Sequence, residues 1–135
     1  MAVSVKQILE YADCRLNDVS CEVGARMVVG RAYYASYHRA NSFHNSLSSK
    51  GFRPEDKGEK TKGVHRTLIY QLYNPRVADP ETRQRSRHLA RLLNTICKLR
   101  QDADYELGKQ INKTQARQAV AESKKLYEFL NEYGG

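Results

Sequence analysis

The chain has 135 residues, 40% of them hydrophobic, which suits one domain with a modest core and is too short for two ordinary domains. No stretch is apolar over the roughly 20 residues that a membrane span needs, and the N-terminus lacks a basic region followed by an apolar run. We therefore expect a single-domain cytoplasmic protein over residues 1–135 without a membrane partner, and the formal net charge of +8 favours an anionic partner such as nucleic acid.

Apolar residues recur at steps of three and four along most of the chain, and only three prolines and eight glycines interrupt them. This periodicity predicts an all-α protein. The first predicted helix covers residues 5–16, with Ser4 as its N-cap. The second covers residues 22–46, and its predicted core stripe consists of Ala25, Val29, Ala32, Ser36, Ala40, Phe43 and Leu47.

The opposite face of the second predicted helix carries Arg31, Ala35, His38 and Ser42, flanked by Tyr34 and Asn45. Small, aromatic and titratable residues on such a face are typical of a surface that docks a partner, and also of a plain solvated face. We expect a homodimer, in which Gly30 allows the two copies to approach closely. The residues that this contact would cover are Met27, Tyr34 and Ala35.

Residues 48–62 combine serine, glycine, proline and charged residues, and Phe52 is their only large apolar side chain. Such a segment buries too little apolar surface to offset the entropy of ordering, so a flexible basic loop is predicted. A shorter helix over residues 64–73 follows it.

Asp79 or Thr82 is expected to cap the next long helix, which is predicted to reach Leu107 and to end at Gly108. Thr114 begins the final predicted helix, whose inward face consists of Ala116, Val120, Ser123, Tyr127 and Leu130. Four principal helices and one short helix predict an up-and-down bundle of four to five helices.

Arg100 falls within the apolar stripe of the long helix that ends near Leu107, and Asp104 lies one turn further on. The stripe comprises Leu89, Leu93, Ile96, Ala103 and Leu107. Residues four apart on a helix can form an ion pair, which a charge removed from water requires. The pair is either a structural element or part of a functional site, and the pattern leaves both interpretations open.

Three motifs, in the order "RAYYASYHRANSF", "KGVHRTLIYQL" and "RQDADYEL", resemble those of the prokaryotic branch of the HEPN superfamily. The resemblance covers most of the chain and implies a helical bundle that pairs as a two-fold homodimer around a shared cleft. It further implies a metal-independent ribonuclease without a cofactor, acting as the toxin of a toxin–antitoxin or phage-defence pair. The implied partners are RNA and an antitoxin or nucleotidyltransferase.

In the enzymes of this family, an arginine is followed after four to six residues by a histidine, whereas the fifth residue after Arg100 is Tyr105. Arg100 is suited to hold the scissile phosphate, because a guanidinium forks onto phosphate oxygens. His38 is the leading candidate for proton transfer, since histidine titrates at about pH 6.5. Tyr105 would donate a hydrogen bond and Asp104 would pair with Arg100, while His65 is a third-ranked candidate for proton transfer.

A basic ridge is predicted on the long helix, because Arg83, Arg87 and Arg91 recur every four residues. It is typical either of a surface that attracts phosphates without reading sequence or of a solvated face. The residues predicted to bind RNA are Arg31, Arg83, Arg87, Arg91, Lys60 and Lys62. Arg83 also precedes His88 by the spacing of the enzymatic motif, which we interpret as a coincidental match in a polar turn.

Two functions therefore remain open for this chain. One is a toxin-type protein that binds and cleaves RNA without metal, and the other is a non-catalytic binding or adaptor module that acts through protein or nucleotide contacts. The absence of a phosphate-binding glycine loop, paired catalytic carboxylates and a G-x-S-x-G element argues against a common hydrolase or kinase. Cys14, Cys21 and Cys97 are scattered and odd in number, so we expect reduced thiols and no metal site.

Overall fold

The computed structural model describes residues 22–105 and 113–132, and the side chains at positions 24–101 and 114–132. Within these ranges it contains four α-helices and one short 3₁₀ helix over Pro54–Lys57. The α-helices are α1 (Glu22–Asn45), α2 (Val64–Tyr73), α3 (Pro80–Tyr105) and α4 (Lys113–Glu132). The all-α prediction is confirmed. The predicted first helix over residues 5–16 and the predicted helix end at Leu107 and Gly108 lie outside the described residues.

The helix α1 is the central element, since it packs against both α3 and α4. Its predicted core stripe is confirmed: every member is buried except Leu47, which is half-buried and lies two residues beyond the end of the helix. Ala35 was predicted to lie on the outer face, and this is wrong because its side chain is only 1% exposed. Two neighbouring helices cover a wider arc of α1 than a single apolar stripe, and Ala35 lies inside that arc.

A cluster of small residues joins α1 to α4, and alanine supplies most of it. Its members are Ala25, Val28, Val29, Ala32, Ala116, Ala119 and Val120. Short side chains at a contact allow two helix axes to approach closely. Beside this cluster, the buried hydroxyls of Ser36 and Ser123 lie 2.7 Å apart, and each also lies within hydrogen-bonding distance of the Ala32 carbonyl, at 2.9 and 3.1 Å.

A second cluster of larger side chains forms the rest of the core. Leu89, Leu93 and Ile96 of α3 pack there with Leu72 of α2 and with residues of α4. Full burial of a leucine or isoleucine side chain contributes about 1.5–3 kcal/mol. This cluster therefore supplies most of the apolar stabilisation that holds α2 and α3 in place.

Specific polar contacts begin and end the helices around this core. Asp79 accepts hydrogen bonds at Oδ2 from the Thr82 amide (3.2 Å) and hydroxyl (2.6 Å), which makes Asp79 rather than Thr82 the N-cap of α3. These bonds lower the pKa of Asp79. At the other side of the turn, the buried Ser86 hydroxyl donates to the carbonyl of Leu72 across 2.7 Å and satisfies a group near the end of α2.

The segment between α1 and α2, predicted as a flexible loop, contains anchors that the sequence did not indicate. Gly51 is buried, where its amide donates to Nε2 of His44 and its carbonyl accepts from the side chain of Gln71. Phe52 contacts two cations, with the Arg76 guanidinium carbon 4.3 Å and the Lys57 ammonium 5.1 Å from its ring centroid. The first half of the segment is therefore attached to α1 and α2, and the predicted flexibility stays a prediction.

In the described parts of the chain, none of the helices combines the length and the apolar character that crossing a bilayer requires.

Candidate functional site

A cavity of about 340 Å³ opens between the middle of α1, the first turn of α2 and the C-terminal part of α3. It is lined by Gly30, Tyr33, Tyr34, Tyr37, His38, His65 and Arg100. Three separate helices supply these side chains, so the cavity exists only in the folded bundle. It brings together three of the polar residues that the motifs singled out, namely His38, His65 and Arg100.

The helix α1 forms the aromatic wall of this cavity. Residues three and four apart share a helix face, which aligns Gly30 with Tyr33, Tyr34 and Tyr37. The rings of Tyr34 and His38 meet edge to face with centroids 4.2 Å apart, and Tyr34 is 49% exposed. An exposed ring at the rim of a cavity offers a flat surface on which a nucleobase can stack.

His65, the second residue of α2, is held from one side by Tyr33. The Tyr33 hydroxyl oxygen and His65 Nδ1 lie 2.7 Å apart, and the centroids of the two rings are 5.3 Å apart. The Tyr37 ring also packs on His65, with a centroid distance of 4.6 Å. Burial lowers the pKa of His65, and the nearby Arg100 and His38 lower it further. The imidazole is therefore mainly neutral at pH 7.

Arg100 approaches the same group from α3. Its guanidinium carbon lies 5.2 Å from the centroid of the Tyr33 ring, a distance typical of a cation–π contact. Burial, followed by the neighbouring Cys97, raises the pKa of Tyr33, so its hydroxyl remains protonated. Arg100 is half-buried and lines the cavity. A charge held at the edge of an aromatic cavity is suited to bind an anion there.

Arg66 links α2 to α3 beside the cavity. It donates through Nη1 to Oδ1 of Asn94 (3.3 Å) and through Nη2 to Oε1 of Gln101 (2.9 Å). Because Arg66 is adjacent to His65, these two bonds fix the first turn of α2 against the helix that carries Arg100. The fold therefore holds the helix segments that carry His65 and Arg100 next to each other.

A second cavity, of about 460 Å³, lies on the basic ridge of α3 and is lined by Gln84, Arg87, His88 and Arg91. The His88 ring packs on Phe129 of α4 with centroids 4.6 Å apart. Arg83 is exposed one turn earlier and is not among the lining residues. Within the described part of the chain, no ion pair occupies Arg87 or Arg91. The ridge shares no lining residue with the cavity at Arg100, so the two basic features are distinct surfaces.

The other residues predicted from the sequence fall outside the cavity. Arg31, Lys60 and Lys62 are exposed on α1 and on the segment before α2. Asp104 and Tyr105 belong to α3, but their side chains are not among those that the structure describes. Their predicted pairing and hydrogen-bonding roles therefore stay predictions.

Sequence reasoning missed Tyr33 and Tyr37 as parts of the site. These two tyrosines are four residues apart and share a helix face, adjacent to the core stripe, with Gly30 and Tyr34. This spacing is the signal in the sequence that indicates a second face. Their contacts with His65 join residues about 30 positions apart, and no local pattern indicates such a contact. His65 was ranked third from the sequence, yet it makes the most specific contact in the cavity.

Comparison with family models, with curated proteins and with solved structures found no match to this chain. The resemblance to the HEPN superfamily therefore rests on the three sequence motifs. Among the described residues, no group of three or more histidine, cysteine or acidic side chains is placed to hold a metal ion.

The chemistry available in the cavity follows from its lining. A guanidinium binds phosphate oxygens and keeps its charge at cellular pH. Aromatic rings stack on bases without sequence preference, at about 1–3 kcal/mol per base. Two imidazoles in one cavity can act as a proton acceptor and a proton donor at neutral pH. The combination is suited to bind a ribonucleotide and to move protons at its phosphate.

Proposed function

We propose that this protein is a HEPN-like, toxin-type protein that binds RNA and cleaves it without a metal ion. The observation that carries this proposal is the convergence of Arg100, His38 and His65 in one aromatic cavity. The sequence predicted Arg100, His38 and Tyr105 as the polar centre, and it lacks the histidine expected after the arginine. His65 provides a second imidazole from a different helix.

The proposed reaction is an internal phosphoryl transfer in RNA. One imidazole accepts the proton of the ribose 2′-hydroxyl, and the 2′-oxygen attacks the adjacent phosphorus and forms a new P–O bond. The P–O5′ bond breaks, and the second imidazole donates a proton to the leaving 5′-oxygen. The products are a 2′,3′-cyclic phosphate and a 5′-hydroxyl, while Arg100 stabilises the charge on the phosphorane oxygens.

The basic ridge of α3 supports the choice of RNA as the ligand. Arg87 and Arg91 line an open cavity whose lining contains no acidic residue. Exposed Lys60 and Lys62 add charge ahead of α2. Such clusters bind a phosphate backbone through release of counterions, which makes the affinity dependent on salt. They would hold the flanking strand while the cavity engages one nucleotide.

We further propose that two copies pair as a two-fold homodimer through the exposed side of α1. Met27 is 59% exposed and Tyr34 is 49% exposed, and both are large side chains on the arc that no described helix covers. A Cβ atom added to Gly30 would meet no atom within 4 Å, so the backbone is open to close approach there. Tyr34 belongs both to this surface and to the rim of the cavity, which would bring two cavities into a shared cleft.

The biological setting that fits these properties is a toxin–antitoxin or phage-defence pair, with an acidic antitoxin or a nucleotidyltransferase as partner. The formal charge of +8 favours an acidic partner surface. The motif resemblance supplies the setting, and the charge supports it.

A second candidate function is a non-catalytic binding or adaptor module with the same cavity. It is favoured by Tyr105, which stands where the enzymatic motif has histidine. In that case the aromatic wall and Arg100 bind a nucleotide or a protein segment, and no bond is broken.

Expression in a bacterial host, with growth and RNA integrity followed over time, tests the proposal. The wild type is expected to arrest growth and fragment RNA, and the Arg100→Ala and His38→Ala variants are expected to do neither. Arg117→Ala serves as the control, because Arg117 is an exposed arginine on α4 outside the cavity. It should behave like the wild type.

Purified protein separates the two candidate functions. Cleavage of labelled RNA that persists in the Arg117→Ala variant and is lost in the Arg100→Ala variant supports the enzyme and excludes a contaminating nuclease. RNA that is bound through Arg100 but left intact by the wild type supports the binding module. Folded wild-type protein that neither binds nor cleaves RNA would contradict both candidate functions.

A further inference from the structure

The contact between Tyr33 and His65 decides where the imidazole carries its proton. Tyr33 is 2% exposed, and its hydroxyl oxygen lies 2.7 Å from Nδ1 of His65. A phenol is a good hydrogen-bond donor and a weaker acceptor, because its oxygen lone pair is delocalised into the ring, whereas a neutral imidazole nitrogen is a good acceptor. The favoured arrangement is therefore Tyr33 O–H donating to Nδ1, with the imidazole proton on Nε2.

We propose that Tyr33 directs the Nε2–H of His65 to a bound phosphodiester, and that His65 takes up a proton when the anion binds and then acts as general acid, with His38 as general base. The general-acid role rests on the RNA cleavage proposed above. The binding role does not, because it requires only that a phosphodiester enters the cavity beside Arg100. Tyr33 is a positioning residue in this scheme, since it acts through His65.

The charges around His65 make its protonation sensitive to an anion. Tyr33, Tyr37 and His38 face it from α1, and Arg100 and Cys97 lie on the α3 side. Burial, followed by the nearby Arg100, lowers the pKa of His65 and so favours the neutral imidazole. A phosphodiester between the guanidinium and Nε2–H offsets the positive charge of Arg100 and favours the imidazolium. The position of His65 in the first turn of α2 also favours a bound anion, because helix N-termini carry partial positive charge.

The proton that enters has a defined place in the hydrogen-bond network. In the imidazolium both ring nitrogens carry protons, so Nδ1–H must then donate to the Tyr33 oxygen. The Tyr33 hydroxyl can then rotate its own proton away from Nδ1, toward the side of Cys97, which interacts with this hydroxyl. The donated proton leaves from Nε2 to the 5′-oxygen as the P–O5′ bond breaks, which leaves His65 as the neutral Nδ1–H tautomer. After the products leave, Nε2 takes up a proton from water and Nδ1 gives one up, which restores the Nε2–H form.

¹⁵N NMR of the imidazole side chains tests this inference without any cleavage. The probe is thymidylyl-thymidine, whose phosphodiester keeps one negative charge across the pH range and lacks the 2′-hydroxyl needed for reaction. In free protein at pH 7.5, His65 is expected to show the Nε2–H tautomer. His44 supplies an internal reference of the opposite tautomer, since its Nε2 accepts a hydrogen bond from Gly51 and its proton must be at Nδ1.

The dinucleotide is expected to raise the apparent pKa of His65 and to bind more tightly at pH 5.5 than at pH 8, by about tenfold for each unit that the pKa rises. The Tyr33→Phe variant should lose the tautomer preference. An Nδ1–H tautomer of His65 in the wild type, or a His65 resonance that the dinucleotide does not shift, would overturn the inference.

Two variants of His65 separate hydrogen bonding from proton transfer. At pH 8, where the imidazole is neutral, His65→Gln keeps an N–H near the position of Nε2 and should retain dinucleotide binding within about threefold. His65→Asn should weaken binding at least about tenfold at this pH, since a lost hydrogen bond to a charged group costs about 1.5–3 kcal/mol. Both variants must retain the melting temperature of the wild type within a few degrees. Equal loss of binding in the two folded variants would contradict the donor role.

RNA cleavage is then measured as a separate readout. If the wild type cleaves RNA, both His65 variants should cleave it at least a hundredfold more slowly, and Tyr33→Phe should change the pH profile of the rate. If the wild type does not cleave RNA but the NMR results are as expected, the proposed enzyme fails and the anion-binding role of His65 stands.

Discussion

The Gly51 amide donates a hydrogen bond to Nε2 of His44 across 2.9 Å in the interior of the protein. Nε2 accepts this bond only while it is unprotonated, so His44 is neutral in the folded state. Burial lowers the pKa of His44, and the nearby Lys50 ammonium lowers it further. Protonation of His44 would place an Nε2–H donor opposite the Gly51 N–H donor. The hydrogen bond would be lost, and the start of the segment between α1 and α2 would be released.

The first prediction is that stability falls with acidification through His44. The pKa of His44 in the folded state is below the unfolded value of about 6.5, so the unfolded chain binds the proton first as the pH falls. The contribution of His44 to stability is therefore complete above the unfolded pKa and declines as the pH falls toward the folded-state pKa. The His44→Gln variant keeps an acceptor and does not titrate. Urea unfolding between pH 7.5 and 5.0 should show a smaller loss of the free energy of unfolding in His44→Gln than in the wild type. Equal losses in the two proteins would exclude His44 as the cause.

The second prediction concerns the backbone at Gly51, where a side chain has no room. A Cβ atom there would lie 2.0 Å from the carbonyl oxygen of Gln71, which belongs to α2 and cannot move without distorting that helix. Gly51→Ala should lower the free energy of unfolding by about 1–3 kcal/mol. Gly63→Ala is the comparison variant, since a Cβ at Gly63 meets no atom within 4 Å, and the less favourable N-cap that it gives α2 should cost less stability than the clash at Gly51. Equal urea midpoints for the two variants would disprove the close approach.

The third prediction is that the segment between α1 and α2 has an anchored part and a mobile part. The amides of Gly51 and Phe52 donate to His44 and to the Asn74 carbonyl, both across 2.9 Å, and should exchange slowly with solvent deuterium. The exposed amides of residues 60–62 should exchange rapidly. Rapid exchange throughout would instead support the fully flexible loop that the sequence predicted for residues 48–62.

The fourth prediction uses Gly30 to test the proposed homodimer. This residue lies within α1, where alanine is favoured over glycine by about 0.5–1 kcal/mol, and an added Cβ meets no atom within 4 Å. Gly30→Ala should therefore stabilise the monomer by that amount, while it should weaken a dimer whose backbones approach closely at this position. Sedimentation over a concentration series measures the second effect. A stabilised variant that dimerises as strongly as the wild type would exclude Gly30 from the interface.

The fifth prediction concerns the basic ridge on α3. If Arg91 contacts an RNA phosphate, Arg91→Gln should weaken binding of single strands of any sequence and reduce the slope of log affinity against log salt by about 0.7. Arg117→Gln on α4 should leave the slope unchanged. Fluorescence anisotropy across a salt series provides both values, and identical slopes for the two variants would remove Arg91 from the RNA-binding surface.

The local sequence determined the helices. Predicted limits of residues 22–46 and 64–73 compare with the observed Glu22–Asn45 and Val64–Tyr73. Periodicity and capping act over a few residues, so they are visible without knowledge of the fold. The same reasoning identified Asp79 as a candidate N-cap, and it identified the polar residues His38 and Arg100 that the structure brings together.

Tertiary structure decided which faces are covered and which polar residues meet. Ala35 is buried because two helices flank α1, and the width of a buried arc depends on neighbours that the local pattern does not specify. The Tyr33–His65 and His44–Gly51 contacts depend on how α1, α2 and the segment between them pack together, as does the position of Arg100 beside the Tyr33 ring. The chemistry of each residue is a property of the sequence, whereas the distances between them are set by the packing of helices that are remote along the chain.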